Sequence, residues 1–405
     1  MVTASDTLSA REAATALGVS RATLYAYVSR GLIASEPGAG PSRARRYPRG
    51  PIEALLARRA RARDRGLAAH GSLHWGLPVL DSQLTLIEDG RCYYRGRDAV
   101  ALSRSATFEE AAALLWTGDP GAAVSLFANL PAFAGTAGEG PRPTAIPEHL
   151  VEAGGATVVT PAASDAAVRR GAARVLVGVF AAAGARGDGA LAARLARGWG
   201  AASAAADIDA ALVLCADHEL SVSSFTARCV ASADAPLENV VLAALCALRG
   251  RRHGGLTEQV EALVGDAERD GPRAAAGRWL GAGGALPGFG HTLYPDGDPR
   301  AAELLRRAGL GADDPVTGLV SLGRDQLGEE PTLDLGLAAL ARARGLPAGA
   351  AFHLFALGRT AGWIAHALET RDDARLLRPR SRYTGPPPHL APNAQVADER
   401  APMDG

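Results

Sequence analysis

The 405-residue sequence contains no lysine, so all 43 of its basic side chains are arginine. Aromatic residues make up only 5% of it, and it holds four cysteines and two methionines. Cys92, Cys215, Cys229 and Cys246 never stand in C-x-x-C spacing, which excludes a thioredoxin-type motif and the common zinc sites. Three of them sit in apolar runs, and all are expected to be buried free thiols rather than a disulfide framework. Long hydrophobic runs are also missing. The longest, such as ARVLVGVFAAAGA (173–185), fall short of the ~20 residues a membrane helix needs. The first residues lack the apolar stretch of a signal peptide. A soluble cytoplasmic protein is expected. Net charge is zero overall but unevenly spread. Residues 1–66 carry 12 arginines against five acids, a formal +7, and the rest of the chain carries the compensating −7. That imbalance points to a polyanion-binding module attached to an acidic body.

The basic module opens with LSAREAATALGVSRATLYAYVSRGLI (8–33). Ser9 with Glu12 three residues on is a capping box, Gly18 breaks the helix that follows, and Ser20 caps a second helix over 21–29 that Gly31 ends. Two short helices around a tight turn make a helix-turn-helix. Ser20, Arg21, Thr23, Tyr25 and Arg30 on and beside the second helix are the candidate DNA-contacting residues, with Tyr27 on the same helix. ASEPGAGPSRARRY (34–47) reads as a β-hairpin wing and PIEALLARRARARDRG (51–66) as a basic helix. A small helical protein-interaction domain with solvated charges is the plainer alternative. The stretch AREAATALGVSRATLYAYVSRGLI resembles the start of the mercury-resistance-regulator (MerR) type of winged helix, which makes residues 1–66 a MerR-like DNA-binding domain by resemblance.

From about residue 70 the text changes. Strand-like pieces fall around 84–94, followed by a helix with Thr107 as cap and Glu109 and Glu110 in its first turn. Beyond 165 the sequence is alanine-rich, with apolar residues spaced three and four apart between Gly and Pro breaks. The βαβ rhythm is absent, and a mostly α body is expected. The stretch after Tyr383 is Pro-rich, and a disordered tail over 386–405 is expected.

Four polar clusters interrupt the helices: CADHELSVSSF (215–225) with His218, ALRGRRHGGLTEQV (247–260) with His253, LPGFGHTLYPDGDPRA (286–301) with His291 and Arg300, and LFALGRTAGWIAHALE (354–369) with Arg359. Taken singly, a histidine beside glycine is a loop or cap residue. A lone arginine in an apolar helix is explained equally well by a buried salt bridge or by a ligand.

Together the clusters resemble the citrate synthase family at its defining motifs: ADHEL, HGG, PGFGH with DPR after it, GRTAGWIAH and RPRSRYTG, in matching order over about residues 75–385. A helix-turn-helix joined to such a body resembles a bacterial branch of that family. The resemblance implies an all-helical large and small domain over 70–385. It implies an acyltransferase that joins acetyl-CoA to oxaloacetate and releases citrate and CoA. Asp334 in EEPTLDLGLAALA matches the family's catalytic base, although alone it is equally a helix N-cap aspartate. His253 would donate to the thioester oxygen and His291 to the ketone. Arg300, Arg359 and Arg378 would clamp the two carboxylates, with His218 adding a hydrogen bond. Arg378 would reach the partner's site in a homodimer. The glycine-rich loop 281–290 would lie against CoA. Gly254 and Gly255, and Gly288 and Gly290, are expected to make room for ligand. No metal or separate cofactor is implied, since acetyl-CoA is a substrate. The departures from the family pattern are Ser221 for Asn, Leu256 and Thr257 in place of Ala-Asn after HGG, and Thr332-Leu333 before Asp334. They leave open a 2-methylcitrate synthase using propionyl-CoA. A second class of function is a DNA-binding regulator whose citrate-synthase-like body senses metabolites.

Overall fold

A computed structural model describes residues 7–29, 33–38, 44–53, 56, 79–128, 141–156, 164–281, 285–373, 375–381 and 383–386. Arg30, most of the 51–66 helix, residues 282–284 of the glycine-rich loop and the tail beyond 386 lie outside them. The chain divides into two units, Met1–Ser82 and Gln83–Gly405.

The first unit has a three-stranded antiparallel sheet, ordered β1 (Thr7–Ser9), β3 (Arg45–Pro48), β2 (Glu36–Pro37), with helices α1 (Ala10–Leu17) and α2 (Arg21–Ser29) inserted between β1 and β2. The capping box forms as its spacing predicts: Ser9 Oγ accepts from the Glu12 amide, and Glu12 Oε2 accepts from the Ser9 amide. Gly18 takes φ 63°, a left-handed conformation that ends α1. Ser20 Oγ accepts from the Thr23 amide and starts α2. Ala13, Leu17, Leu24, Ile33, Tyr47 and Ile52 close a small core. The β2–β3 hairpin, with Glu36 opposite Arg46, stands where the wing was expected. Strand β1 was not foreseen, because three residues show too little alternation to read.

The second unit opens with an antiparallel sheet of β4 (Thr85–Glu88), β5 (Arg91–Tyr94) and β6 (Arg97–Asp98) and is helical thereafter. The helices that place the site are α3 (Ala205–Cys215), α4 (Val222–Ala231), α5 (Leu237–Leu248), α6 (Leu256–Asp270), α7 (Pro299–Ala308), α8 (Leu333–Ala343) and α9 (Ala350–Asp373). Helix α9 is buried all round from Ala350 to Ala367, so it runs through the core rather than along its surface. Gly358 and Gly362 face α3: a side chain at either would strike the α3 backbone at Leu212 or Ala216. Their four-residue spacing lets two helix backbones meet, and Arg359 is thereby carried to the end of α3. Among the described residues no helix is long and apolar enough to cross a membrane. Cys92 and Cys215 are buried as expected, but Cys229 is half-buried and Cys246 exposed, because α4 and α5 each turn one face outward.

Candidate active site

Each polar cluster becomes a helix end or a short loop aimed at one place. His218 lies on the loop that leaves α3. That loop is tied down by the Tyr94 hydroxyl, which donates to Leu214 and Asp217 carbonyls at 3.2 and 3.3 Å. Asp217 is fully buried. Its Oδ2 accepts from Thr85 Oγ1 at 2.5 Å, and its Oδ1 lies 3.2 Å from His366 Nε2. Arg228 donates from Nε to His366 Nδ1 at 2.9 Å and pairs with Glu369. This buried polar chain pins the residue next to His218.

His253 sits in the turn before α6, and its Nε2 meets Ser223 Oγ at 2.9 Å. His291 follows the Pro-Gly-Phe-Gly turn, and its Nδ1 accepts from the Leu293 amide at 3.1 Å. A neutral imidazole that accepts at Nδ1 carries its proton on Nε2. The His291 loop is stitched to the irregular segment before Asp334 by two backbone bonds, Gly290 amide to Glu330 carbonyl (2.9 Å) and Thr332 amide to Gly288 carbonyl (2.8 Å). Asp334 is in the first turn of α8 and is not its N-cap, a position taken by Thr332. Its Oδ2 accepts weakly from Thr332 Oγ1 at 3.4 Å, and its buried Oδ1 has no hydrogen-bond partner among the described residues.

The rings of His218 and His291 stand perpendicular at 5.5 Å, and both pack on Tyr294. Arg300 and Arg359 lie behind them, 2% and 1% exposed. The two arginines differ sharply. Arg300 is already paired: its Nε and Nη2 donate to Asp298 at 3.0 and 2.8 Å, leaving only the buried Nη1 without a partner. Arg359 donates from Nε to the Cys215 carbonyl (2.8 Å) and from Nη1 to Ser221 Oγ (3.4 Å), and it meets no carboxylate at ion-pair distance among the described residues. The structural salt bridge conceivable for Arg359 is therefore made by Arg300 instead.

Electrostatics follow from this placement. Burial, then the positive charges of Arg300 and Arg359, holds His218 well below the usual imidazole range. Burial and Arg359 bring His253 down to about 4, and burial and Arg300 lower His291. All three are neutral hydrogen-bonding groups at pH 7. Burial pushes the Asp334 carboxyl up to about 6, opposed first by its own backbone amide and then by Arg300. Burial also lowers Arg359 from its ordinary value. Among the described residues no group of three or more His, Cys, Asp or Glu side chains could hold a metal ion.

A family model described as citrate synthase, C-terminal domain, matches residues 172–380 and so spans every one of these groups. The chain belongs to the citrate synthase family. A helix-turn-helix domain model matches residues 7–60. Among citrate synthase relatives, the citrate synthase of Haloferax volcanii is 37% identical over 188 residues, covering 44% of this chain and 49% of that protein. Citrate synthase 2 of Bacillus subtilis is 35% identical over 187 residues, covering 44% and 50%. The chain thus spans about half the length of the curated relatives it matches. The fold is that of solved citrate synthases. The Thermotoga maritima structure has a TM-score of 0.63 at 24% identity, covering 80% of this chain and 98% of that one. The Thermoplasma acidophilum ternary complex with carboxymethyl coenzyme A and oxaloacetate has a TM-score of 0.62 at 22% identity, covering 78% and 97%.

Within this citrate synthase fold, two sequence readings need correction. Gly254 and Gly255 do not make room for ligand: a side chain there would strike Leu248 and the Arg249 carbonyl at the end of α5. Gly288 and Gly290 likewise face Val260 with Leu335, and Glu329. These glycines let the His253 and His291 loops press against the protein itself, at φ 86° and 70° in the second pair. Arg378 is exposed on the irregular segment after α9 and is not brought to the cluster within one chain. Sequence reasoning missed Tyr294, Asp298 and Ser223. Asp298 was signalled, since Asp followed by Pro is a helix-start pattern, and Asp298 does cap α7. Ser20, Arg21, Thr23 and Tyr25 lie in the other unit, around the start of α2, with Arg21 and Tyr25 exposed.

Proposed function

We propose that the chain condenses acetyl-CoA with oxaloacetate to citrate and CoA. The observation that carries this reading is the desolvated Asp334 carboxylate, within the electrostatic reach of Arg300 and on the segment bonded to the His291 loop, in the same unit as Arg359, whose guanidinium meets no carboxylate at ion-pair distance among the described residues. Asp334 would take a proton from the acetyl methyl group while a His253 N–H donates to the thioester oxygen, so that a neutral enol forms. The enol carbon then bonds to the ketone carbon of oxaloacetate as the enol proton returns to His253, and His291 Nε2–H gives its proton to the oxygen that becomes the hydroxyl and is reprotonated by the proton that Asp334 took. Water hydrolyses the resulting thioester and frees CoA. Arg359 and the open Nη1 of Arg300 would each take a carboxylate oxygen, with His218 completing the set. Among the described residues of the cluster, Arg359 alone has a guanidinium with no carboxylate at ion-pair distance, and a doubly charged acid asks for more. A homodimer in which Arg378 of the second copy completes the clamp meets that need. CoA would lie against the 281–290 loop. The same site admits propionyl-CoA and a methylcitrate product. The test is free-thiol release by the full-length protein. Release from acetyl-CoA should require oxaloacetate; thiol release at equal rates with and without it would mean simple thioester hydrolysis.

A second reading rests on a separate observation, the helix-turn-helix match together with the +7 charge of residues 1–66. We infer that this unit binds DNA through α2 and the β2–β3 wing. Arg21→Ala combined with Tyr25→Ala should weaken binding to the preferred genomic fragment in an anisotropy titration. Wild-type affinity should fall about tenfold or more from low to physiological salt. Equal affinity for every fragment would reduce this unit to a basic, sequence-blind patch.

A further inference from the structure

We propose that Tyr294 is the positioning residue of the oxo-acid half of the site, setting the proton on His218 and holding the plane of Arg300. The proposal rests on the condensation reading for the identity of the ligand. Tyr294 is 2% exposed, so its hydroxyl needs a protein partner. It meets His218 Nε2 at 3.0 Å and also reaches the buried Cys92 thiol. This contact couples the phenol proton to the imidazole tautomer: a phenol that donates to Nε2 leaves the ring proton of neutral His218 on Nδ1, and one that accepts leaves it on Nε2, so the hydroxyl sets which His218 nitrogen faces the ligand as a donor. The ring of Tyr294 packs at 5.6 Å on His218 and at 5.1 Å on His291. The guanidinium carbon of Arg300 lies 5.2 Å from its centroid. Asp298 holds two nitrogens of that guanidinium in line, and the aromatic face beneath it removes the remaining freedom, so Nη1 has one orientation.

The chain also explains how Tyr294 gets there. Its amide donates to the His291 carbonyl at 2.9 Å, and the Gly297 amide donates back to the Tyr294 carbonyl at 3.0 Å. Gly297 has φ 111°, where a side chain is strained. Two consecutive turns thus place His291, Tyr294 and Asp298 within eight residues of each other on one face of the site. Tyr294 touches three of the groups assigned to the oxo acid and none of those assigned to the thioester.

The test compares Tyr294→Phe, which keeps the ring and loses the hydroxyl, with Tyr294→Leu, which loses both. Full-length proteins are titrated with oxaloacetate by calorimetry and assayed for thiol release. Tyr294→Phe should weaken oxaloacetate binding about tenfold and Tyr294→Leu about tenfold more, with the KM for acetyl-CoA within about twofold of wild type in both. A merely structural role would shift both substrates together and lower the melting temperature of Tyr294→Phe, and that pattern would overturn the proposal. So would an oxaloacetate affinity unchanged in Tyr294→Phe. If wild type binds oxaloacetate but releases no thiol, the condensation reading fails and the binding series still judges Tyr294. If wild type binds no oxaloacetate, both fall.

Discussion

Asp334→Asn is expected to lower kcat for condensation by about 10²–10⁴-fold, the usual worth of a positioned base, while changing either KM little. The reason is geometric. Among the described residues the Asp334 carboxyl has one oxygen against Thr332, one buried oxygen with no side-chain partner and no cation at ion-pair distance, so it is not half of a salt bridge. Its pKa of about 6 gives the pH dependence. As the proposed base, Asp334 would work only when ionised, so wild-type kcat/KM should fall tenfold per pH unit below about 6 and flatten above it. The stability sign runs the other way. The folded pKa is raised above that of the unfolded chain, so the fold favours the protonated form, and stability from this group is lost as pH rises through about 6. The amide of Asp334→Asn removes that charge, and the variant should melt no earlier than wild type at pH 7. An inactive Asp334→Asn that also unfolds early would assign the residue to structure instead.

The two buried arginines should respond oppositely to the same change. Arg300→Met strands the Asp298 carboxylate, which is 3% exposed, and removing one partner of a buried pair costs about 3–5 kcal/mol. That is enough to unfold a marginal domain or to lower its melting temperature by many degrees. Arg359→Met removes a cation that has no carboxylate partner. Asp217, the acid nearest in influence, keeps His366 and Thr85. Only the Cys215 carbonyl and the Ser221 hydroxyl lose a donor, and the melting temperature should change little. Oxaloacetate binding should nonetheless fall by about 10²-fold or more, the loss expected when a charged hydrogen bond to a carboxylate goes. Thermal melts and calorimetry on the two variants check both halves. A destabilised Arg359→Met beside a stable Arg300→Met would reverse the assignment of which arginine is held for a ligand.

These contrasts also mark what was readable in one dimension. Helix caps are local: the Ser9–Glu12 capping box forms as its spacing predicts, and Thr107 caps its helix as expected, with Glu110 closing a box that was not foreseen. The motif order placed His218, His253, His291, Arg300, Asp334 and Arg359 in one unit of the fold. Which arginine is compensated was not readable, because the surroundings of Arg359 come from α3 packing on α9 across 144 residues of sequence. The glycines beside the histidines were misread for a related reason. A glycine says that space is needed but not what fills it, and here Leu248, Val260 and Leu335 do. Tyr294 carried no signal of its own in the sequence, because its contact with His218 is made only once the two loops meet.

The central claim is that this site forms a carbon–carbon bond after removing a methyl proton. The most direct measurement is the mass of the product made from trideuterioacetyl-CoA and oxaloacetate. Citrate that retains two of the three deuterons is the expected result, one having gone to Asp334. Trideuterioacetate beside unconsumed oxaloacetate would show a thioester hydrolase and contradict the account.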